Sequence, residues 1–172
     1  MNQTHTEKKA KPVAPKVKEL INASQSVILA TTDAEGVPNS SYAPFVQMDQ
    51  TFYILVSFMA RHTKNLADGR KASLMFIEDE SATKQIYARE RLTIEAVPTQ
   101  IERDSEVWNT VVARLKETHG KVVDVISGMG DFILIALKPV KGSYVNGFGS
   151  AYFVDQNLEI VEHRNDANHQ SK

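Results

Sequence analysis

The sequence predicts an α+β protein, mainly β, arranged as a predominantly antiparallel barrel with helices at its periphery. Three observations lead there. Seven or eight segments carry strand-type patterns, short helical segments interleave with them, and hairpin-length turns join several of the strands. Strands joined by so short a polar turn pair antiparallel, because a parallel connection needs a crossover. No G-x-G-x-x-G follows a strand and no G-x-x-x-x-G-K-[ST] is present, which argues against a doubly wound nucleotide-binding sheet. Gly147-Phe148-Gly149 reads as a turn.

After Pro15, Lys16–Ala23 places Val17, Leu20 and Ile21 on one helical face. Ser26–Thr32 reads as a strand closed by the turn run Asp33-Ala34-Glu35-Gly36. A second strand follows Pro38 through Ser41–Val46, and the Met48-Asp49-Gln50 turn leads to a third, Thr51–Ser57. Residues 59–68 predict a short helix, Ala72–Ile77 a strand, and Ser81–Ala88 a brief helix. Arg91–Ile101 is a long strand with Leu92, Ile94 and Ala96 facing inward. Asp104 is the expected N-cap of a helix burying Val107, Trp108, Val111, Val112 and Leu115 and ending near His119-Gly120. Lys121–Ser127 is a second helix, carrying Val122, Val123 and Ile126. A buried strand at Asp131–Leu137, a hairpin strand at Gly142–Phe148 and a short strand at Ala151–Val154 precede a polar tail.

A length of 172 residues fits one domain, expected over residues 16–155 between an N-terminal tail, 1–15, and a C-terminal tail, 156–172. With 20 Lys+Arg against 21 Asp+Glu, there is no global field for nucleic acid or an anionic membrane. Cysteine is absent, which excludes disulfides, thiolate nucleophiles, Fe–S clusters and Cys-ligated zinc. The first 18 residues hold five lysines and no apolar core of a signal peptide, and the longest apolar run, Phe132–Leu137, is far too short to span a bilayer. The expected location is the cytoplasm, with no membrane partner.

Four places could carry chemistry. Ala60-Arg61-His62-Thr63-Lys64-Asn65-Leu66 puts cationic side chains on one helical turn, either an anion site or a solvated basic face. Arg91, opening the long strand, can bind a carboxylate or phosphate bidentately or serve as a strand-edge charge. Asp131 opens an apolar strand and either caps its end in water or, if buried, requires a partner such as a histidine N–H. The histidines are the fourth: His5 in the N-terminal tail, His119 at a helix end, and His163 and His169 in a C-terminal segment with no core to build. Tail histidines are ordinarily inert, yet neutral imidazole is the commonest protein ligand of haem iron. No Ser/His/Asp constellation or H-E-x-x-H motif supports a hydrolase or zinc protease.

The motifs S-Y-A-P-F at Ser41–Phe45, A-R-H-T-K-N-L at Ala60–Leu66, A-R-E-R-L at Ala88–Leu92, I-E-R-D-S-E-V-W at Ile101–Trp108, G-D-F-I-L at Gly130–Leu134 and G-F-G-S-A-Y at Gly147–Tyr152 occur in order. Together they resemble the pyridoxamine-phosphate-oxidase-like split barrels, specifically their haem-utilisation branch, over roughly residues 16–170. The resemblance implies a six-stranded split β-barrel that forms a homodimer, with cofactor sites in clefts at the dimer interface. The wider family usually reads S-R-K where Ala60-Arg61-His62 stands here; Arg61 is retained, the hydroxyl is lost and lysine has become histidine, so two contacts to the phosphate of FMN are weakened or replaced.

In the haem branch the resemblance implies a C-terminal histidine on haem iron, with oxygen and an electron donor opening the porphyrin ring. His169 lies nearest the expected position and His163 is the reserve. Asp131 would accept the Nδ1–H of that imidazole, across the dimer if need be. Arg91 is then a distal or propionate-binding group, with Arg61 and Lys64 as further propionate partners beside His62. Three functions follow: a haem-degrading enzyme that takes electrons from an unidentified donor, an FMN-dependent oxidoreductase holding phosphate with Arg61 and Lys64, and a haem storage or delivery protein without turnover.

Overall fold

The computed structural model describes residues 13–164; His5 and His169 lie outside them. The chain begins with α1, Ala14–Asn22, whose Pro15 sits in the first helical turn, where a missing N–H breaks no bond. Val17, Leu20 and Ile21 form its buried face. The strands are β1 Ser26–Thr32, β2 Pro38–Pro44, β3 Val46–Met48, β4 Thr51–Ser57, β5 Ala72–Ile77, β6 Arg91–Ile101, β7 Phe132–Val145, β8 Ala151–Val154 and β9 Ile160–His163. The remaining helices are α2 Arg61–Ala67, α3 Glu106–His119 and α4 Val122–Ser127. No helix among the described residues is long and apolar enough to cross a membrane.

All strand pairs are antiparallel and form one sheet in the order β2-β1-β5-β6-β7-β4-β3, with β8 on the far half of β7 and β9 on β8. The sheet curls into a half-barrel until β2 approaches β4. The resemblance implies six strands; the described residues form nine, of which β3, β8 and β9 have only three or four residues each.

Two cores lie on opposite faces of the curl. Inside, Phe45, Phe52 and Phe76 pack with ring centroids 5.2–5.7 Å apart, together with Leu29, Ile54, Leu74, Leu92, Ile94, Ile135 and Leu137. Outside, α3 and α4 cover Val46, Leu55 and Leu134 with Trp108, Val111, Leu115 and Val123. The start of β7 is therefore apolar on both faces, which explains the continuous run Phe132–Leu137.

Five sequence expectations change. First, Asp131–Leu137 and Gly142–Phe148 are not two arms of a hairpin but halves of the 14-residue β7. Pro139 pairs with Ala96 and Lys141 with Glu95, so Val140 is the extra residue of a bulge. Gly142 marks a close approach, since a Cβ there would meet the Thr93 carbonyl at 2.6 Å. Second, Ser81–Ala88 is no α-helix: Asp79 accepts hydrogen bonds from the Ser81 N–H and hydroxyl, and only Ile86–Ala88 forms one 3₁₀ turn. Third, the strand expected to run through Val46 breaks at Phe45, whose buried ring joins the inner core between β2 and β3.

Fourth, α3 is capped by Ser105, whose hydroxyl accepts from the Trp108 N–H at 3.2 Å, while Asp104 adopts φ +63° outside the helix. Val107 and, on α4, Val122 face solvent instead of the core. Fifth, the described part of the segment read as polar tail, up to residue 164, continues the fold. Asp155 Oδ1 accepts from the Asn157 and Glu159 N–H groups, Leu158 is buried, and β9 pairs with β8.

Candidate functional site

The sequence-derived candidates fall into two groups at opposite ends of β7. At the first end, the pairing of Phe132 with Ser57 brings the end of β4 beside Asp131. The Ser57 hydroxyl donates to Asp131 Oδ2 at 2.5 Å, and the Phe58 N–H donates to the Asp131 carbonyl at 2.9 Å. Ser57 Oγ in turn accepts from the Met59 N–H. Asp131 is exposed, and so are the apolar side chains of Phe58, Met59 and Met129. The result is a carboxylate of fixed orientation amid apolar side chains that face outward.

Directly after Met59, α2 presents its cations. Arg61 lies 3.8 Å from Asp33 in a largely exposed ion pair, an interaction worth only about 0–1 kcal/mol. An incoming anion binding the guanidinium bidentately would out-compete it. Lys64 is exposed. His62 is half-buried, and desolvation holds its pKa below the ordinary histidine value, favouring neutral imidazole. Its Nε2 and the Thr63 hydroxyl are buried without a hydrogen-bond partner among the described residues. Asn65 is not part of the exposed face; its amide donates to Thr31 Oγ1 at 3.0 Å inside the fold.

At the other end of β7, Arg91 pairs with Val145, Val145 with Ala151, and neighbouring Tyr152 with His163. This row of four strands forms one wall of a cleft of about 500 Å³ shared by Arg91, His163, Arg164, Tyr87 and Phe148. Arg91 Nη1 donates to the Arg89 carbonyl at 3.1 Å, which tethers one nitrogen of its guanidinium and leaves the others to donate elsewhere. His163 is an exposed residue of β9, edge-on to the Tyr152 ring at 4.8 Å. Tyr87 and Phe148 are 84% and 72% exposed, an arrangement with two cations and two open aromatic rings.

The structure thus joins Arg91 to His163 and leaves Asp131, Arg61, His62 and Lys64 at other positions. Sequence reasoning missed Tyr87, Phe148, Arg164 and Ser57. The available signal for Phe148 was its place between two glycines, of which Gly149 has φ +67°: a large apolar residue at a turn tip is displayed, not buried. Ser57 had no sequence signal, since its role comes from strand register alone.

Residues 13–146 match the family of pyridoxamine 5'-phosphate oxidase. The chain belongs to that family. Within it, the chain is 46% identical over 140 residues to a Vibrio cholerae protein named heme oxygenase HutZ, covering 81% of this chain and 80% of that one. A crystal structure of Vibrio cholerae HutZ, described as a haem storage protein, superposes with a TM-score of 0.71 at 44% identity, over 75% of this chain and 91% of that one. Campylobacter jejuni ChuZ gives a TM-score of 0.81 at 29% identity, over 92% of this chain and 64% of that one. These likenesses establish the curled sheet as the split-barrel fold of pyridoxamine 5'-phosphate oxidases.

Proposed function

We propose that this chain binds haem between the two subunits of a homodimer and opens the porphyrin ring with oxygen and electrons from an unidentified donor, releasing iron. The observation that carries the reading is the Asp131 carboxylate, held by Ser57 and flanked by outward-facing Phe58, Met59 and Met129. Such a group suits an imidazole N–H, and its apolar surroundings suit a porphyrin face. The names carried by HutZ, heme oxygenase and haem storage protein, support haem as the ligand and leave turnover as the finer question.

Haem would supply the iron at which oxygen is activated; the protein supplies position and charge. Asp131 accepts the Nδ1–H of the ligating histidine, His169 with His163 in reserve, and thereby raises imidazole basicity. Arg91 pairs with a propionate, with Arg164 beside it, while Tyr87 and Phe148 offer flat apolar area. Arg61 and Lys64 are further carboxylate partners. Because Asp131 and Arg91 stand at opposite ends of β7, a site using both draws one from each subunit.

A hemin titration tests this. His169→Ala should abolish the Soret shift, His163→Ala should leave it, and unchanged binding in both variants would remove a histidine at the C-terminal end as the iron ligand. Added reductant and air should then bleach the bound haem; persistent absorbance would make the protein a store or carrier. The exposed cations Arg61 and Lys64 favour FMN as a second reading. It predicts a yellow preparation whose flavin is lost in Arg61→Ala.

A further inference from the structure

Arg103, two residues beyond the end of β6, directs its guanidinium at backbone. Nη1 donates to the Ser127 carbonyl at 2.5 Å, and Nη2 donates to those of Met129 at 2.8 Å and Phe132 at 2.7 Å. The guanidinium carbon lies 4.5 Å from the centre of the Trp108 ring, which backs it as a flat apolar platform. Trp108 is itself buried in the core beneath α3 and α4.

These three carbonyls bracket Asp131, two before it and one after. The segment between them, Gly128-Met129-Gly130, contains two glycines and no buried side chain. Its own backbone bonds, Gly128 N–H to Val125 and Met129 N–H to Ile126 at 3.2 Å and Phe132 N–H to Met129 at 3.3 Å, are long, so side-chain packing adds little to hold it. On the other side, Asp131 is tied to β4 by Ser57 and Phe58. We propose that Arg103 is the positioning residue for Asp131: its three-carbonyl clamp, seated on Trp108, fixes the loop that aims the carboxylate. This rests on the haem reading for its functional meaning and on the clamp geometry for its structural one. Lysine would keep the charge but lose the planar fork that reaches three oxygens.

Amide hydrogen exchange of the haem-free full chain separates clamp from general stability. In Arg103→Met, the Phe58 N–H, bonded to the Asp131 carbonyl, should exchange at least about tenfold faster relative to the core amide of Leu134. Val123→Ala, which thins the same outer core without touching the carbonyls, should speed both amides together. Arg103→Lys should recover part of the protection. Equal acceleration of Phe58 and Leu134 in Arg103→Met, as in Val123→Ala, would overturn the assignment.

With hemin as the probe, the iron–imidazole vibrational band should shift in Arg103→Met in the same direction as in Asp131→Asn and stay put in Val123→Ala. A shift in Asp131→Asn with none in Arg103→Met would overturn the positioning role. A silent Asp131→Asn would instead overturn the place given to Asp131 in haem binding, and the exchange result alone would then decide the role of Arg103.

Discussion

The two ends of β7 are constructed by different means. At the Asp131 end, a polar group is held by backbone and short side chains: Ser57 and Phe58 from β4, and the carbonyl clamp of Arg103. At the Arg91 end, the prominent groups are long or aromatic side chains on turns, with Tyr87 in a 3₁₀ turn and Phe148 at a glycine-flanked tip. A group that must aim a hydrogen bond needs a rigid frame, whereas groups that cover an apolar ligand tolerate looser mounting. Both ends leave large apolar side chains in water, a condition that marks surfaces awaiting a ligand or partner.

That contrast predicts unequal sensitivity. Asp131→Asn keeps the shape and removes the charge, so haem affinity or ring-opening rate should fall by about 10–100-fold, read by hemin titration and by the rate of bleaching. Arg91→Ala removes a single charged partner and should weaken haem binding by about tenfold while leaving the iron–ligand spectrum unchanged. Equal losses of affinity and equal spectral changes in the two variants would break the distinction between an aiming end and a covering end.

A third variant asks whether the covering end has a rigid foundation. Tyr144 is fully buried in β7, one residue before Val145, and its hydroxyl donates to Glu90. Burial and the adjacent negative charge push the phenol well above its ordinary pKa, so it remains a donor across the accessible pH range. Tyr144→Phe leaves a half-buried carboxylate oxygen without this donor. It should cost about 1–2 kcal/mol of stability in urea unfolding. An unchanged midpoint would show that the Arg91 end does not depend on this pair.

Much of the frame was legible in the sequence because it follows local pattern. Ser26–Thr32, Thr51–Ser57, Ala72–Ile77, Arg91–Ile101 and Ala151–Val154 have the expected bounds, each being a strand whose apolar positions are set by burial. What the pattern misread was punctuation. Pro139 and Gly142 signal a turn by composition, yet here they serve a bulge and a close backbone approach inside β7. The same error hid the geometry of the site: only the continuous β7 sets Asp131 beside its first residue and Arg91, paired with Val145, beside its last. Residue type and strand position raised Asp131 and Arg91 as candidates and the resemblance gave them roles, but Ser57 and Arg103 act through register and carbonyl contacts that residue type does not announce.

The smallest expected effect concerns His62, near the aiming end. Its imidazole is half-buried with Nε2 unpartnered among the described residues, and desolvation lowers its pKa below the ordinary 6.5. In the unfolded chain the ring takes up a proton near pH 6.5; in the fold it does so only at lower pH. Between those two values the unfolded state binds more protons, so stability rises with pH across that window. The contribution is complete above the unfolded pKa and is lost as pH falls through the folded one. Unfolding midpoints should therefore decline from pH 7 toward pH 5, and His62→Gln, which cannot titrate, should flatten that part of the decline. The same slope in His62→Gln would assign the pH response to other groups. Added haem sharpens the point, because a ligand that supplies a partner for the orphaned nitrogen should change the slope in the native chain and leave that of His62→Gln unaltered.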